Sequence, residues 1–334
     1  FLDRHPKSPW RNRVMAMTGV TLARTGEYGE ALEWLELSDN DRLTLKEARR
    51  STFYRIVSLF KTGRTTEGYV MLNVLKNLSL GEYDDDIAFY NAYVDYCQNK
   101  MDDAVVGFTK SYGNKSYADW SGLYLADIAL HQNNPDEAAR IAGALLDDDV
   151  DESILTEAER VLGEARFMQG NWKDADEMLT SYVMGDTEPT RLDLYQLGMA
   201  NWELGEYARA MEFLGRVTDD DDEISQNAWM HRGLASLALG DTASAVFDFE
   251  RASSMNGNRA VTEQALYNYA MCLQESGYAP FAEPVTAFER FLNEFPESRY
   301  HDVVSKRLVG VYLQSSNYDA ALNSIGKIHN PDAA

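Results

Sequence analysis

The sequence predicts an all-α fold, an α-solenoid of about nine helix-turn-helix repeats, on three observations. A short turn pattern recurs along the chain, small residues stand in phase before it, and large apolar residues stand in phase after it.

The turn pattern is a glycine or other turn former followed five residues later by alanine. It reads Gly26-Glu-Tyr28-Gly-Glu-Ala31, Gly170-Asn-Trp172-Lys-Asp-Ala175, Gly205-Glu-Tyr207-Ala-Arg-Ala210 and Gly240-Asp-Thr242-Ala-Ser-Ala245. Weaker copies run from Gly63 to Gly68, Asn99 to Ala104, Asn133 to Ala138 and Ser316 to Ala321. A two-residue insertion after Gly277 puts Pro284 where the alanine would fall. Successive anchors lie 34 to 39 residues apart.

Seven residues before each turn the chain has Gly19, Ala92, Ala126, Gly163, Gly198, Gly233 and Ala270, with only Ile56 and Val309 bulky. Four residues after each alanine position come Leu35, Leu72, Phe108, Ala142, Leu179, Leu214, Phe249, Phe288 and Ile325, one helical turn further along the same face. Each unit therefore reads as two amphipathic helices whose small residues let the backbones approach while the large one fills the groove between them. One hairpin cannot bury its apolar face, so stability comes from stacking. Glycine ends several first helices, and proline follows a second helix in Phe295-Pro296. Capping-box spacings at Thr44-Leu-Lys-Glu47 and Thr156-Glu-Ala-Glu159 predict the openings of two first helices.

Composition bounds the function. Hydrophobic residues make up 45% and charged ones 25%, enough apolar material for a continuous core. No stretch reaches the ~18 to 20 uncharged apolar residues that span a bilayer, so no direct membrane insertion by this segment is expected. The opening Phe1-Leu2-Asp3-Arg4-His5-Pro6 lacks signal-peptide character, and any anchor or export signal is expected outside the segment. Fifty-four acidic against 31 basic residues give a net charge of -23, which repels phosphate backbones and makes nucleic acid an unexpected partner. The two cysteines, Cys97 and Cys272, fall five units apart in the repeat register and are read as separate thiols.

The phased residues resemble the tetratricopeptide repeat signature. Leu197-Gly198, Tyr207, Ala210 and Leu214 match it, as do Trp229, Gly233, Ala245 and Phe249. The resemblance implies a right-handed solenoid, with repeats starting near 12, 49, 85, 119, 156, 191, 226, 263 and 302 and one continuous domain over residues 12–334. Gly68 in place of alanine, and Asn99 and Asn133 in place of glycine, depart from it. A narrower likeness lies in Ala287-Phe288-Glu-Arg-Phe291-Leu292-Asn-Glu-Phe295-Pro296-Glu-Ser298-Arg-Tyr300, similar to repeats of bacterial outer-membrane assembly lipoproteins and of the periplasmic coordinator of the Tol-Pal system. Phe1 to Trp10 lines up with Phe291 to Tyr300 in spacing, so residues 1–11 read as the end of a further repeat upstream. This likeness implies a bacterial periplasmic or outer-membrane-associated location, with the cytoplasm as the alternative.

In the family the first helices line the concave face, and positions ten, six and three before the turn point inward. Carried over, these positions give Phe89, Tyr93, Tyr96, Tyr195, Met199, Trp202, Met230, Tyr267 and Met271, and with Trp120, which starts the fourth unit's stripe earlier in its first helix, they make up the candidate partner-binding groove. No unit pairs lysine with asparagine at the ten-before and six-before places, the pair that captures a terminal carboxylate. The surface is aromatic and methionine-rich instead, suited to a protein or peptide with apolar anchors.

Acidic runs at Asp84 to Asp86, Asp147 to Asp149 and Asp219 to Asp222 lack the alternating ligands and bend glycine of a calcium loop and are read as helix caps. The histidines, His5, His131, His231, His301 and His329, lack metal-ligand spacing, and no phosphate loop or nucleophile elbow occurs. No catalytic residue, metal or cofactor is expected. The expected function is a non-enzymatic protein-protein interaction scaffold in bacterial envelope assembly or maintenance. The alternatives are a carbohydrate-capture helical-repeat lipoprotein and a sensory or autoinhibitory repeat domain of a larger regulator.

Overall fold

The computed structural model describes residues 1–276, 282–314, 316–326 and 328. Among them every regular element is helical. The order is α1 (Arg11–Arg24), α2 (Tyr28–Leu37), α3 (Leu45–Lys61), α4 (Thr65–Leu78), α5 (Asp84–Cys97), α6 (Met101–Tyr112), α7 (Ala118–His131), α8 (Pro135–Asp147) and α9 (Glu152–Met168). It continues with α10 (Trp172–Met184), α11 (Arg191–Glu203), α12 (Tyr207–Gly215), α13 (Glu223–Ala238), α14 (Thr242–Ser254), α15 (Arg259–Ser276), α16 (Ala282–Glu294), α17 (His301–Gln314) and α18 (Tyr318–Ile325). A short 3₁₀ turn, Asn40–Arg42, precedes α3. The chain divides into two compact units, residues 1–158 and 159–334.

In both units the turn residues adopt the left-handed backbone that the pattern requires. Gly26, Gly63, Gly170, Gly205 and Gly240 have φ between 72° and 91°, and Asn99, Asn133 and Ser316 lie at 57° to 59°. A left-handed residue after a helix lets the next amide reach back five residues to close the helix end. It does so each time: Glu27 N donates to Leu22 O, Arg64 N to Leu59 O, Lys100 N to Asp95 O, Asn134 N to Ala129 O, Asn171 N to Arg166 O, Glu206 N to Asn201 O, Asp241 N to Ser236 O and Asn317 N to Tyr312 O, all at 2.8–3.0 Å. The two asparagines thus keep the same geometry, because a short polar side chain tolerates this region. Gly277 and its insertion lie outside the described residues, as does His329.

The phased small residues are where helices touch. A methyl group on Gly19 would meet Leu35 at 2.6 Å, on Gly163 would meet Leu179 at 2.7 Å, on Gly198 would meet Leu214 at 2.7 Å and on Gly233 would meet Phe249 at 2.6 Å. These are the pairs that the two phases predict. The alanines Ala31, Ala104, Ala138, Ala175, Ala210, Ala245 and Ala321 are buried, as are all their described apolar successors except Ile325. Gly68 departs from alanine for a local reason: the Phe60 ring occupies the space, 3.0 Å from where its Cβ would be.

One of the two capping expectations changes. Thr44 and Glu47 do form a reciprocal capping box, but Thr156 does not cap. Helix α9 already begins at Glu152, and the Thr156 hydroxyl donates to the Glu152 carbonyl at 2.9 Å. An unforeseen capping box, Thr190 with Asp193, opens α11.

The spacing match between Phe1–Trp10 and Phe291–Tyr300 is one turn built twice. Ser8 N donates to His5 O, Arg11 N to Ser8 O and Val14 N to Trp10 O; Ser298 N donates to Phe295 O, His301 N to Ser298 O and Val304 N to Tyr300 O. The serine hydroxyl accepts from the amide two residues on in both, Trp10 at 3.2 Å and Tyr300 at 3.0 Å.

Candidate ligand-binding site

In the first unit α3, α5 and α7 open three successive hairpins, and rings carried by them meet. Phe60 of α3 stacks on Tyr90 of α5 at 4.8 Å and meets Tyr93 edge-on at 5.6 Å. Tyr93 lies 5.5 Å from Tyr124 of α7. Phe89 stacks on Tyr117, in the loop before α7, at 4.4 Å, and Trp120 stacks on Tyr124 at 6.2 Å. Rings of this size bridge helices and leave a pocket of about 250 Å³, lined by Phe60, Lys61, Phe89, Tyr90, Tyr93, Ser116, Tyr117, Trp120 and Tyr124. Phe60 and Phe89 form its buried floor; the three tyrosines of the helices, Tyr117 and Trp120 are half-buried.

Two carboxylates stand behind these rings. The Tyr117 hydroxyl donates to Asp86 at 2.5 Å, and the Tyr96 hydroxyl donates to Asp127 at 2.6 Å. Burial raises the Asp86 carboxyl above its ordinary range. Burial likewise pushes the Tyr93 hydroxyl up to about 12, helped by neighbouring Cys97, and raises those of Tyr90, Tyr117 and Tyr124 further. The phenols therefore stay protonated at neutral pH. Lys61, the exposed last residue of α3, holds its Nζ 5.1 Å from the centroid of the Trp120 ring. Such a site can grip a flat apolar group, or a cation against ring faces.

In the second unit the candidate residues serve the cores. Tyr195, Met199 and Trp202 pack on Leu179, Leu194, Leu197 and Leu214. Trp202 also meets His231 edge-on at 5.0 Å, where burial lowers the imidazole pKa. Tyr267 and Met271 pack on the cluster around Phe288 and Phe291, and Tyr267 stacks on Tyr300 at 4.3 Å. Met230 is only 3% exposed, beside Trp229 and Phe249 in the core, so it drops out of the candidate surface.

The structure thus gathers Phe89, Tyr93 and Trp120 into one pocket, with Tyr96 adjoining it through Tyr124 at 5.2 Å. Tyr90, Tyr117, Tyr124 and Lys61 were not in the predicted groove. Tyr90 and Tyr124 both lie nine residues before their turns, an aromatic phase present in two consecutive repeats that could have pointed to them.

Fold and site together define a helical-hairpin repeat protein with an aromatic pocket on its first helices. Patterns of the tetratricopeptide repeat match residues 12–36, 120–144 and 195–260. These three segments are tetratricopeptide repeats. No curated protein matches the chain significantly. Among solved structures, the apo form of the quorum sensor NprR from B. thuringiensis is similar over 95% of this chain and 97% of that one, at 9% identity and a TM-score of 0.53. A tetratricopeptide repeat protein from Parabacteroides merdae is similar over 77% of this chain and 98% of its own, at 15% identity and a TM-score of 0.44. Among the described residues no helix is long and apolar enough to cross a membrane.

Proposed function

We propose that the chain is a non-enzymatic protein-interaction scaffold that takes a polypeptide segment with apolar anchors into the aromatic pocket of its first unit. The observation that carries this reading is the pocket itself. Repeat proteins use the faces of stacked units to bind partners, and here rings from three successive first helices surround about 250 Å³ of open space instead of closing on each other. Aromatic pockets of that kind act as anchor sites because rings offer large contact area at little rotamer cost. The similarity of the Phe295-Pro296-Glu-Ser298 segment to repeats of envelope proteins supports a role in bacterial envelope assembly or maintenance, in the periplasm or at the outer membrane.

The test is a photoreactive phenylalanine analogue placed at Trp120 and, as control, at Val106, which is 72% exposed on α6. An envelope protein crosslinked from position 120 and not from 106 is the expected result. Equal labelling from both positions removes the pocket, and adducts restricted to cytoplasmic proteins remove the envelope role.

A further inference from the structure

The aromatic pocket is negative in its surroundings yet holds one of the chain's own cations at its mouth. We propose that the side chain this pocket selects is a lysine or arginine of a basic polypeptide, and that Lys61 occupies its place in the free protein. The inference rests on reading the pocket as a polypeptide site and deepens it: the segment keeps its apolar anchors against the surrounding rings, and the one side chain that enters the pocket itself is cationic.

Four observations bear on it. The faces of Trp120 and Tyr124 and the rings of Tyr90, Tyr93 and Tyr117 line the pocket, and aromatic faces attract cations through their quadrupole. Two of the hydroxyls at this cluster donate to carboxylates, Tyr117 to Asp86 and Tyr96 to Asp127, which places negative charge behind the rings. Between residues 84 and 131, the span that carries α5 to α7, there are eight aspartates and three lysines with no arginine or glutamate, in a chain of net charge -23. Such a surface speeds and favours the approach of a basic partner and repels an acidic one.

The fourth observation is Lys61 itself. It forms no ion pair among the described residues, although acidic groups outnumber basic ones across the chain. Its position at the end of α3 suits the negative end of that helix, but the ammonium is set over the Trp120 ring at 5.1 Å. An internal group in the binding position lowers the apparent affinity for an external one by the fraction of time it is there. Removing it should therefore tighten binding of a cation and loosen binding of an anion, and the two signs separate this proposal from its opposite.

The experiment uses the whole chain and three acetylated peptides of equal length, alternating leucine with lysine, with norleucine or with glutamate, titrated calorimetrically. The lysine peptide is expected to bind at least about 5-fold more tightly than the norleucine peptide. Lys61→Gln is expected to tighten the lysine peptide by roughly 3- to 10-fold, whereas Lys76→Gln, the same charge change on α4 away from the pocket lining, leaves the ratio of lysine to norleucine affinities unchanged. Trp120→Leu should abolish the preference for lysine. Lys61 is exposed, so its variant tests the idea even if Trp120→Leu fails to fold. Equal affinity for lysine and norleucine peptides overturns the cation while leaving the pocket as a polypeptide site. Weaker binding by Lys61→Gln, or preference for the glutamate peptide, overturns the proposal by making Lys61 an anion partner. Absence of binding by all three peptides at millimolar concentration overturns the pocket reading and this inference together.

Discussion

Gly233 faces the ring of Phe249 so closely that an added Cβ would lie 2.6, 2.7 and 2.9 Å from three of its carbons. Phe249 is fully buried, so the ring has nowhere to retreat. Gly233→Ala is expected to destabilise the protein by about 1–3 kcal/mol, the range for overpacking a core. This outweighs the gain in helix propensity of about 1 kcal/mol that alanine brings to a helix interior. Denaturant unfolding measures it, and an unchanged or raised midpoint would show that the two helices can separate freely.

Asn133 holds a left-handed backbone at φ 57°. Glycine enters that region without the Cβ penalty, so Asn133→Gly should stabilise by up to ~1 kcal/mol, and Asn133→Val should destabilise by more than that. Thermal unfolding of the pair checks the order; a valine variant as stable as the glycine one would mean that the turn is not held in this conformation.

Asp248 is buried against Arg232, whose Nη2 lies 3.4 Å from its Oδ1. Desolvation outweighs that attraction and raises the carboxyl from 3.8 to about 6. The folded state therefore binds this proton more tightly than the unfolded state does. Its contribution to stability is full below about 3.8, declines as pH rises, and is lost above about 6. Unfolding of wild type and Asp248→Asn across that window should show the variant gaining relative to wild type as pH increases. Parallel profiles would mean that folding leaves the Asp248 carboxyl at its ordinary pKa.

Arg191 joins two repeats of the second unit by pairing with Asp220 at 2.6 Å and Asp222 at 2.8 Å while also donating to Val217 O and Ser225 Oγ. This guanidinium holds the Asp222 carboxyl well below the usual carboxylate range. The groups are partly exposed, which screens them, so Arg191→Met is expected to cost only about 1 kcal/mol. The loss should shrink in high salt. A salt-independent loss, measured by urea unfolding, would assign the effect to packing of the arginine stem.

The repeat was legible because its markers answer to hard steric limits. Turn residues must enter left-handed space, and Gly19, Gly163, Gly198 and Gly233 must admit a neighbouring side chain. The start of α9 was less so, since Thr156-Glu-Ala-Glu159 fits a cap and a helix interior alike. At the site, phase located Phe89 and Tyr93, while Trp120 came in only as an aromatic earlier on its helix; Tyr90 and Tyr124, one position along from the ten-before place, were missed because the helix has rotated there by about 100°. Lys61 and Tyr117 were out of reach for another reason. One belongs to the preceding repeat and the other to a loop, and only the offset between stacked hairpins brings them to the same ring cluster.

Within each unit the substantial helix contacts join elements that are adjacent or next but one along the chain. Order in such a molecule is a local property, so hydrogen exchange should be graded, and opening should spread from weak hairpins and stop at strong ones. α18, with Tyr318, Leu322 and Ile325 exposed, is placed to exchange early, while α13 and α14, clamped by Phe249, are placed to exchange late. A single melting temperature would then average over segments that come apart at different times.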